Sequence, residues 1–295
     1  MTRALVLGGG GPVGIGWEAG LLVGLARHGV DLSGADAVVG TSAGSVVGFT
    51  LAAGRDLTQA NELMGMANQV LAGDPAAAGA VEGFEQLLAA VAEAAADPVR
   101  AEAVRARLGQ LALDAPTVSE ETWLTLFGDF AGAHWPEAFS CTAVEVTGGR
   151  FKVWTAADGV EVARAVASSC AVPCIFPPVE IGGARYMDGG VRDMLNADVA
   201  AGHQVVVAFS CTLLELPPGF ADPGLESLFG QTRAALDGLR EGGAKVETVV
   251  PGPEMLGISG FGLNLMDFNQ AAAAYEAGLR QAGAEAARLG GIWNG

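Results

Sequence analysis

Apolar residues recur along this chain in two rhythms, and the way the rhythms alternate predicts the fold class. Residues 4–7 form a short apolar run ended by glycines, which reads as a buried strand. Residues 14–28 place Leu21, Leu22 and Leu25 on one face at helical spacing. A second strand is expected at 37–39 and a second helix at 43–53, with Gly54 suited to its C-terminal end. Strand, glycine turn and helix, twice over, is the pattern of a parallel sheet with helical crossovers.

From 58 to 128 the strand signal vanishes. The stretch is rich in Ala, Glu, Leu and Gln, and two or three helices fit, broken near Gly73–Pro75, Asp97–Pro98 and Ala115–Pro116. Phe84, Leu87, Leu88 and Val91 fall at helical spacing. The stretch reads as a helical insertion or lid within one domain over 1–295, or as helices that complete the core. Strands return at 140–146 and 151–155, joined by Gly148–Gly149 as a hairpin. A helix over 160–169, a hairpin over 179–187, strands at 204–209 and 245–250 and a closing helix over 266–289 complete the expectation. Residues 256–268 are apolar and broken by Gly257, Gly260 and Gly262, which suits a flexible wall.

Composition sharpens this picture without changing it. With 295 residues, 51% apolar, the chain can bury one sizeable core. A formal net charge of −17 argues against nucleic acid and against polybasic membrane docking. It leaves room for transient membrane contact and for a neutral or zwitterionic ligand; oligomeric state is not legible. Cys141, Cys170, Cys174 and Cys211 form no CxxC pair and lack histidines at ligand spacing, so no metal site is expected. No apolar stretch reaches roughly 18 to 20 residues and no signal-peptide pattern opens the chain, which makes the cytoplasm the default location.

Three motifs carry chemistry. Gly40-Thr41-Ser42-Ala43-Gly44 lies between a predicted strand and a predicted helix, the context of a nucleophile elbow. Glycines two positions either side keep the turn tight, and the serine tops a helix N-terminus that favours anionic states. Gly9-Gly10-Gly11-Pro12-Val13-Gly14 follows the first strand. It supports two readings: a dinucleotide fingerprint on Gly9, Gly11 and Gly14, implying a nucleotide-dependent oxidoreductase, or an oxyanion hole built from backbone amides. The first needs an acidic residue at the end of the second strand, where Gly40 stands instead. Pro12 has no N–H, so a hole must use the amides of Gly10 and Gly11, with Ala43 beside the serine. The third motif, Asp188-Gly189-Gly190, is by itself an ordinary turn.

In order and spacing the three motifs resemble the patatin-like phospholipase family. So do Ala167-Ser168-Ser169-Cys170-Ala171-Val172-Pro173, Phe176-Pro177-Pro178, Tyr186-Met187 before the aspartate, and Asn196. The resemblance spans roughly 4–210. It implies a three-layer α/β/α sandwich with a mostly parallel sheet. It also implies a serine acyl-ester hydrolase acting on lipids without a cofactor, with Ser42 as nucleophile, Asp188 as base, and Gly10 and Gly11 in the oxyanion loop. One departure stands out: Val13 occupies a position where the family often has Arg or Lys, which weakens the expectation of a phospholipid over a neutral ester. A triad of Ser42, Asp188 and His203 is the competing arrangement, and a fold retained without activity is a second competitor.

Overall fold

The computed structural model describes residues 1–59, 91–97 and 99–295. β1 (Arg3–Leu7) leads through the glycine loop into α1 (Gly11–Arg27), and β2 (Ala37–Thr41) turns at once into α2 (Ala43–Ala52). Then come α3 (Ala101–Asp114), α4 (Glu120–Thr125), β3 (Phe139–Glu145), β4 (Phe151–Trp154) and α5 (Val162–Ser169). The chain continues with β5 (Val179–Ile181), β6 (Ala184–Asp188), β7 (Val205–Phe209), α6 (Pro223–Glu241), β8 (Lys245–Val249), α7 (Pro253–Ile258) and α8 (Ala271–Trp293).

The strands form one eight-stranded sheet. β3, β2, β1, β7 and β8 run parallel, while β4 and β6 lie antiparallel to β3 and β5 antiparallel to β6. The central strands are buried on both faces, as a parallel sheet between helices requires. Leu5 and Leu7 of β1 join the core shared with α1, α2, α5 and α8. Ala4 and Val6 face the other way, against Leu236 and Leu239 of α6. This is the expected mixed α/β arrangement, with a mostly parallel sheet flanked by helices.

Register decides what the sheet can build. Along one edge of β3, Cys141–Val144 pair with β4. β2 pairs with β3 as far as Thr41 opposite Thr142, and β6 takes over with Asp188 opposite Ala143. Because β4 already occupies one edge at these positions, β2 and β6 share the other. They approach from opposite directions, and their last residues, Thr41 and Asp188, meet end to end.

α1 and α8 pack with almost no side chain between them. A methyl group at Gly16 would sit 2.1 Å from the Ala271 carbonyl oxygen, at Gly20 2.0 Å from that of Tyr275, and at Gly278 2.3 Å from that of Trp17. Glycine at every fourth position of α1 therefore sets the approach of the two helices.

Helix α1 begins at Gly11, three residues earlier than its hydrophobic period suggests, with Pro12 in its first turn, where a missing N–H has no partner to lose. The closing helix begins at Ala271, after a short 3₁₀ turn, and runs on to Trp293. α6 was not anticipated, yet parallel β7 and β8 demand a crossover, and Asp222-Pro223 is a helix-start signal: the Asp222 carboxylate accepts the Leu225 amide at 2.9 Å. Of the 58–128 insertion, residues 60–90 and 98, with Phe84, Leu87 and Leu88, lie outside the described residues. The described remainder packs into the body. Gly109 of α3 abuts the Val146 carbonyl, Arg105 Nε donates to the Gly149 carbonyl at 2.8 Å, and Trp123 of α4 stacks on Phe176 at 4.0 Å.

Candidate active site

β1, β2 and β7 all end on the same side of the sheet, with β1 between strands reached by different routes. Such a point is where open parallel sheets form clefts. Ser42 is the residue after β2. It is held at φ 51°, ψ −117°, a conformation a residue with a Cβ rarely adopts. The flanking glycines explain how the turn closes. A Cβ on Gly40 would lie 2.4 Å from the Gly44 carbonyl oxygen, and one on Gly44 2.2 Å from that of Leu7.

The strained serine is fixed by its backbone. Its N–H donates to Ser169 Oγ at 3.0 Å, and its carbonyl accepts from Ser45 Oγ at 2.6 Å and from Cys170 Sγ at 3.2 Å. Ser169 and Cys170 belong to the 167–173 segment, so that segment buttresses the elbow. The sequence flagged the segment but gave it no task.

Asp188 lies beside this serine, only 5% exposed, as is Ser42 itself. Its Oδ1 accepts the Gly190 amide at 2.7 Å. Oδ2 is buried without a hydrogen bond of ordinary geometry. Burial pushes the Asp188 pKa up to about 7, opposed in part by the nearby Ser42 hydroxyl and the Gly190 amide. The Ser42 hydroxyl thus lies near the carboxyl without a hydrogen bond of ordinary geometry to it. Gly189 is required by proximity, since a Cβ there would fall 2.2 Å from Thr142 Oγ1. Thr142 bonds Thr41 at 2.8 Å, and Asn196 Nδ2 donates to Thr41 Oγ1 and to the Gly189 and Asp193 carbonyls. Asp193 in turn accepts the Leu195 and Asn196 amides and the Thr232 hydroxyl. This buried network ties the ends of β2 and β6 together.

The glycine loop faces Ser42 from β1. The Gly8 amide donates to the Phe209 carbonyl at 3.0 Å and to Glu18 Oε1 at 2.9 Å, and the Gly9 amide to the Met194 carbonyl at 2.6 Å. The amides of Gly10, Gly11 and Ala43 take no acceptor among the described residues. Gly11 and Ala43 open α1 and α2 and line one cleft together with Ser42. Two helix N-termini thus present donors and partial positive charge to the same space. Gly14 lets α1 pass Cys211 and Ala43, since its Cβ would lie 2.9 Å from Cys211 Sγ. Beneath the loop Glu18 is fully buried, and burial raises its pKa well above the usual carboxylate range. Its period places it among apolar residues of α1, so no motif announced it.

The rest of the cleft is apolar: Ile15, Val46, Trp123, Phe127, Phe176 and Met266 are among its walls. Among the described residues no charged side chain lines it, and Val13 is fully buried in the core with its amide donating to the Leu265 carbonyl at 3.2 Å. Of the two wall candidates, 256–268 contributes Met266 and Phe268. The described part of the 58–128 stretch contributes Trp123, Leu126 and Phe127.

Two alternatives do not survive the geometry. His203 lies two residues before β7, and β7 runs parallel to β1 and β2, so it sits at the opposite edge from Ser42. A five-residue strand separates the two edges by roughly 17 Å. His134 likewise precedes β3, and His28 caps the far end of α1. A dinucleotide site fails at the end of β2, where Thr41 is fully buried and bonded to Thr142 and Asn196; Asp36 lies at the strand's other end, accepting the Arg3 amide.

A strained serine on a strand–helix elbow thus stands beside a buried carboxyl and two helix starts, in a mixed α/β fold with a mostly parallel sheet. The family model described as Patatin-like phospholipase matches residues 5–201, and the chain belongs to that family. Among solved structures, VipD from Legionella pneumophila is similar at a TM-score of 0.49 and 16% identity, covering 98% of this chain and 67% of its own. The type III effector protein ExoU is similar at 0.37 and 18%, covering 95% of this chain and 53%, about half, of its own. No curated protein matches the chain.

Proposed function

We propose that this chain hydrolyses acyl esters of lipids through a dyad of Ser42 and Asp188, with the amides of Gly10, Gly11 and Ala43 as oxyanion hole. The observation that carries the reading is the pairing of Ser42, held at φ 51°, with a buried carboxyl whose pKa lies at about 7. An ordinary carboxylate, with a pKa of about 3.9, is too weak a base to take a proton from a hydroxyl. Desolvation makes Asp188 a stronger one that still ionises near neutrality.

In this mechanism Ser42 Oγ attacks the acyl carbonyl carbon while its proton passes to Asp188. The carbonyl π pair moves to oxygen, where the free amides stabilise it. Collapse expels the alcohol, which takes the proton from Asp188, and the acyl group stays on Ser42. Water then attacks the acyl-serine, giving its proton to Asp188. Collapse of the second intermediate releases the carboxylic acid, and Ser42 recovers its proton from Asp188. The apolar walls suit an acyl chain. The uncharged lining among the described residues and the buried Val13 favour esters whose recognition needs no phosphate partner.

Turnover of a p-nitrophenyl acyl ester tests the reading. Ser42→Ala and Asp188→Asn should each lose at least about 100-fold in kcat, and His203→Ala should stay near the parent. A fluorophosphonate should label the parent at Ser42. Full activity in Asp188→Asn, or no labelling of Ser42, would sink the dyad.

A further inference from the structure

The loop between α7 and α8 carries an exposed apolar tip a few residues before Met266 and Phe268, which line the cleft. Phe261 is 69% and Leu263 73% exposed. Phe261 is held in the left-handed conformation, φ 57°, between Gly260 and Gly262, which also have positive φ. The turn is not slack: the Gly262 and Asn264 amides both donate to the Ser259 carbonyl, at 3.0 and 2.8 Å, and Ser259 is buried. Strain and hydrogen bonds together hold a bulky aromatic ring in water, an arrangement that folding alone does not reward.

The tip is continuous with the catalytic loop. Leu265, two residues on, is buried, and its carbonyl accepts the Val13 amide in the first turn of α1 at 3.2 Å. Met266 and Phe268 then line the cleft beside Ser42. Residues 255–266 contain no charged side chain, in a chain whose formal net charge is −17.

We propose that Phe261 and Leu263 insert into a lipid–water interface of zwitterionic headgroups and set the cleft mouth against it. The chemistry selects that partner. An aromatic and a branched aliphatic side chain on an uncharged turn gain by entering the boundary region of a bilayer, whereas the acidic body is repelled by anionic lipid. The inference rests on the lipid-ester reading of the cleft, and a bilayer met at this tip would deliver an acyl chain next to Met266.

Binding is measured by co-sedimentation with phosphatidylcholine vesicles, using full-length Ser42→Ala so that no lipid is consumed. Adding Phe261→Ser and Leu263→Ser should lower the partition coefficient tenfold or more. The same pair in the active protein should leave turnover of soluble p-nitrophenyl acetate unchanged and slow hydrolysis of a neutral acylglycerol carried in the vesicles. Phosphatidylglycerol vesicles should bind the parent more weakly than phosphatidylcholine. Equal partition of parent and double variant overturns the proposal. So does a concentration-dependent dimer, seen by sedimentation velocity, that the double variant abolishes, since a second copy would then cover the tip. Soluble-ester turnover without vesicle binding removes the docking and leaves the hydrolase, while vesicle binding without any turnover does the reverse.

Discussion

Two buried carboxyls, Asp188 and Glu18, lie on either side of the glycine loop, and burial raises the pKa of both. A group whose folded pKa lies above its unfolded value leaves stability intact below the unfolded value. It subtracts from stability as pH rises towards the folded one. For Asp188 that window runs from the ordinary 3.8 to about 7. Above it, keeping the carboxylate buried costs on the order of 4 kcal/mol. Asp188→Asn should therefore raise Tm at pH 8 and change it far less at pH 4, while abolishing turnover. A Tm gain equal at both pH values would contradict the burial argument. The proposed dyad needs the opposite form: kcat/KM should rise with pH through about 7 as Asp188 ionises. Glu18 holds the Gly8 amide in either protonation state. Glu18→Gln should keep parental kcat, whereas Glu18→Ala should lower kcat about tenfold with KM little changed, by freeing the loop. Steady-state kinetics on the soluble ester decide between them.

At the scale of elements, the site depends on how ends meet. β2 and β6 arrive from opposite directions on one edge of β3, and Ser42 and Asp188 stand at that junction. Glycine controls the helical layer in the same way. Gly20→Ala would drive a methyl into the Tyr275 carbonyl, a backbone atom that yields only if α1 and α8 separate. It should cost about 1–3 kcal/mol in urea unfolding, although alanine is the better helix former. A neutral or stabilised Gly20→Ala would mean that the two helices are not fixed this closely. The strands, hairpins and elbow were readable because each rests on a local rule: an apolar run, a Gly-Gly turn, a glycine two positions from a serine. α6 carries its own local signals, an Asp222-Pro223 start and an apolar stripe, yet the firm demand for it comes from the direction of β7 and β8.

Over the whole molecule, the family match ends at 201 while the sheet and its cover do not. β7 and β8 complete the parallel sheet, and α8 brings Tyr275, Leu289 and Trp293 into the main core against α1. Trp293 Nε1 also donates to the Asp31 carbonyl at 2.8 Å. A chain stopped after Val250 should lose cooperative thermal unfolding and expose the glycine face of α1; differential scanning calorimetry of the truncated and full chains checks this. Retention of a parental transition would show that the matched segment carries the core by itself. No described helix is long and apolar enough to cross a membrane.

What the sequence determined alone was the local chemistry. Ser42 on its elbow, the glycine loop with a proline that donates nothing, and the aspartate before two glycines are written in spacings of a few residues, because backbone sterics act over that range. Whether Asp188 or His203 faces Ser42 is not a local matter. It was decided by strand direction and register, which place His203 at the opposite edge of the sheet and bring Asp188 against the serine. The raised pKa, the bond between Glu18 and Gly8 and the apolar cleft have the same origin, since burial is a property of the packed chain.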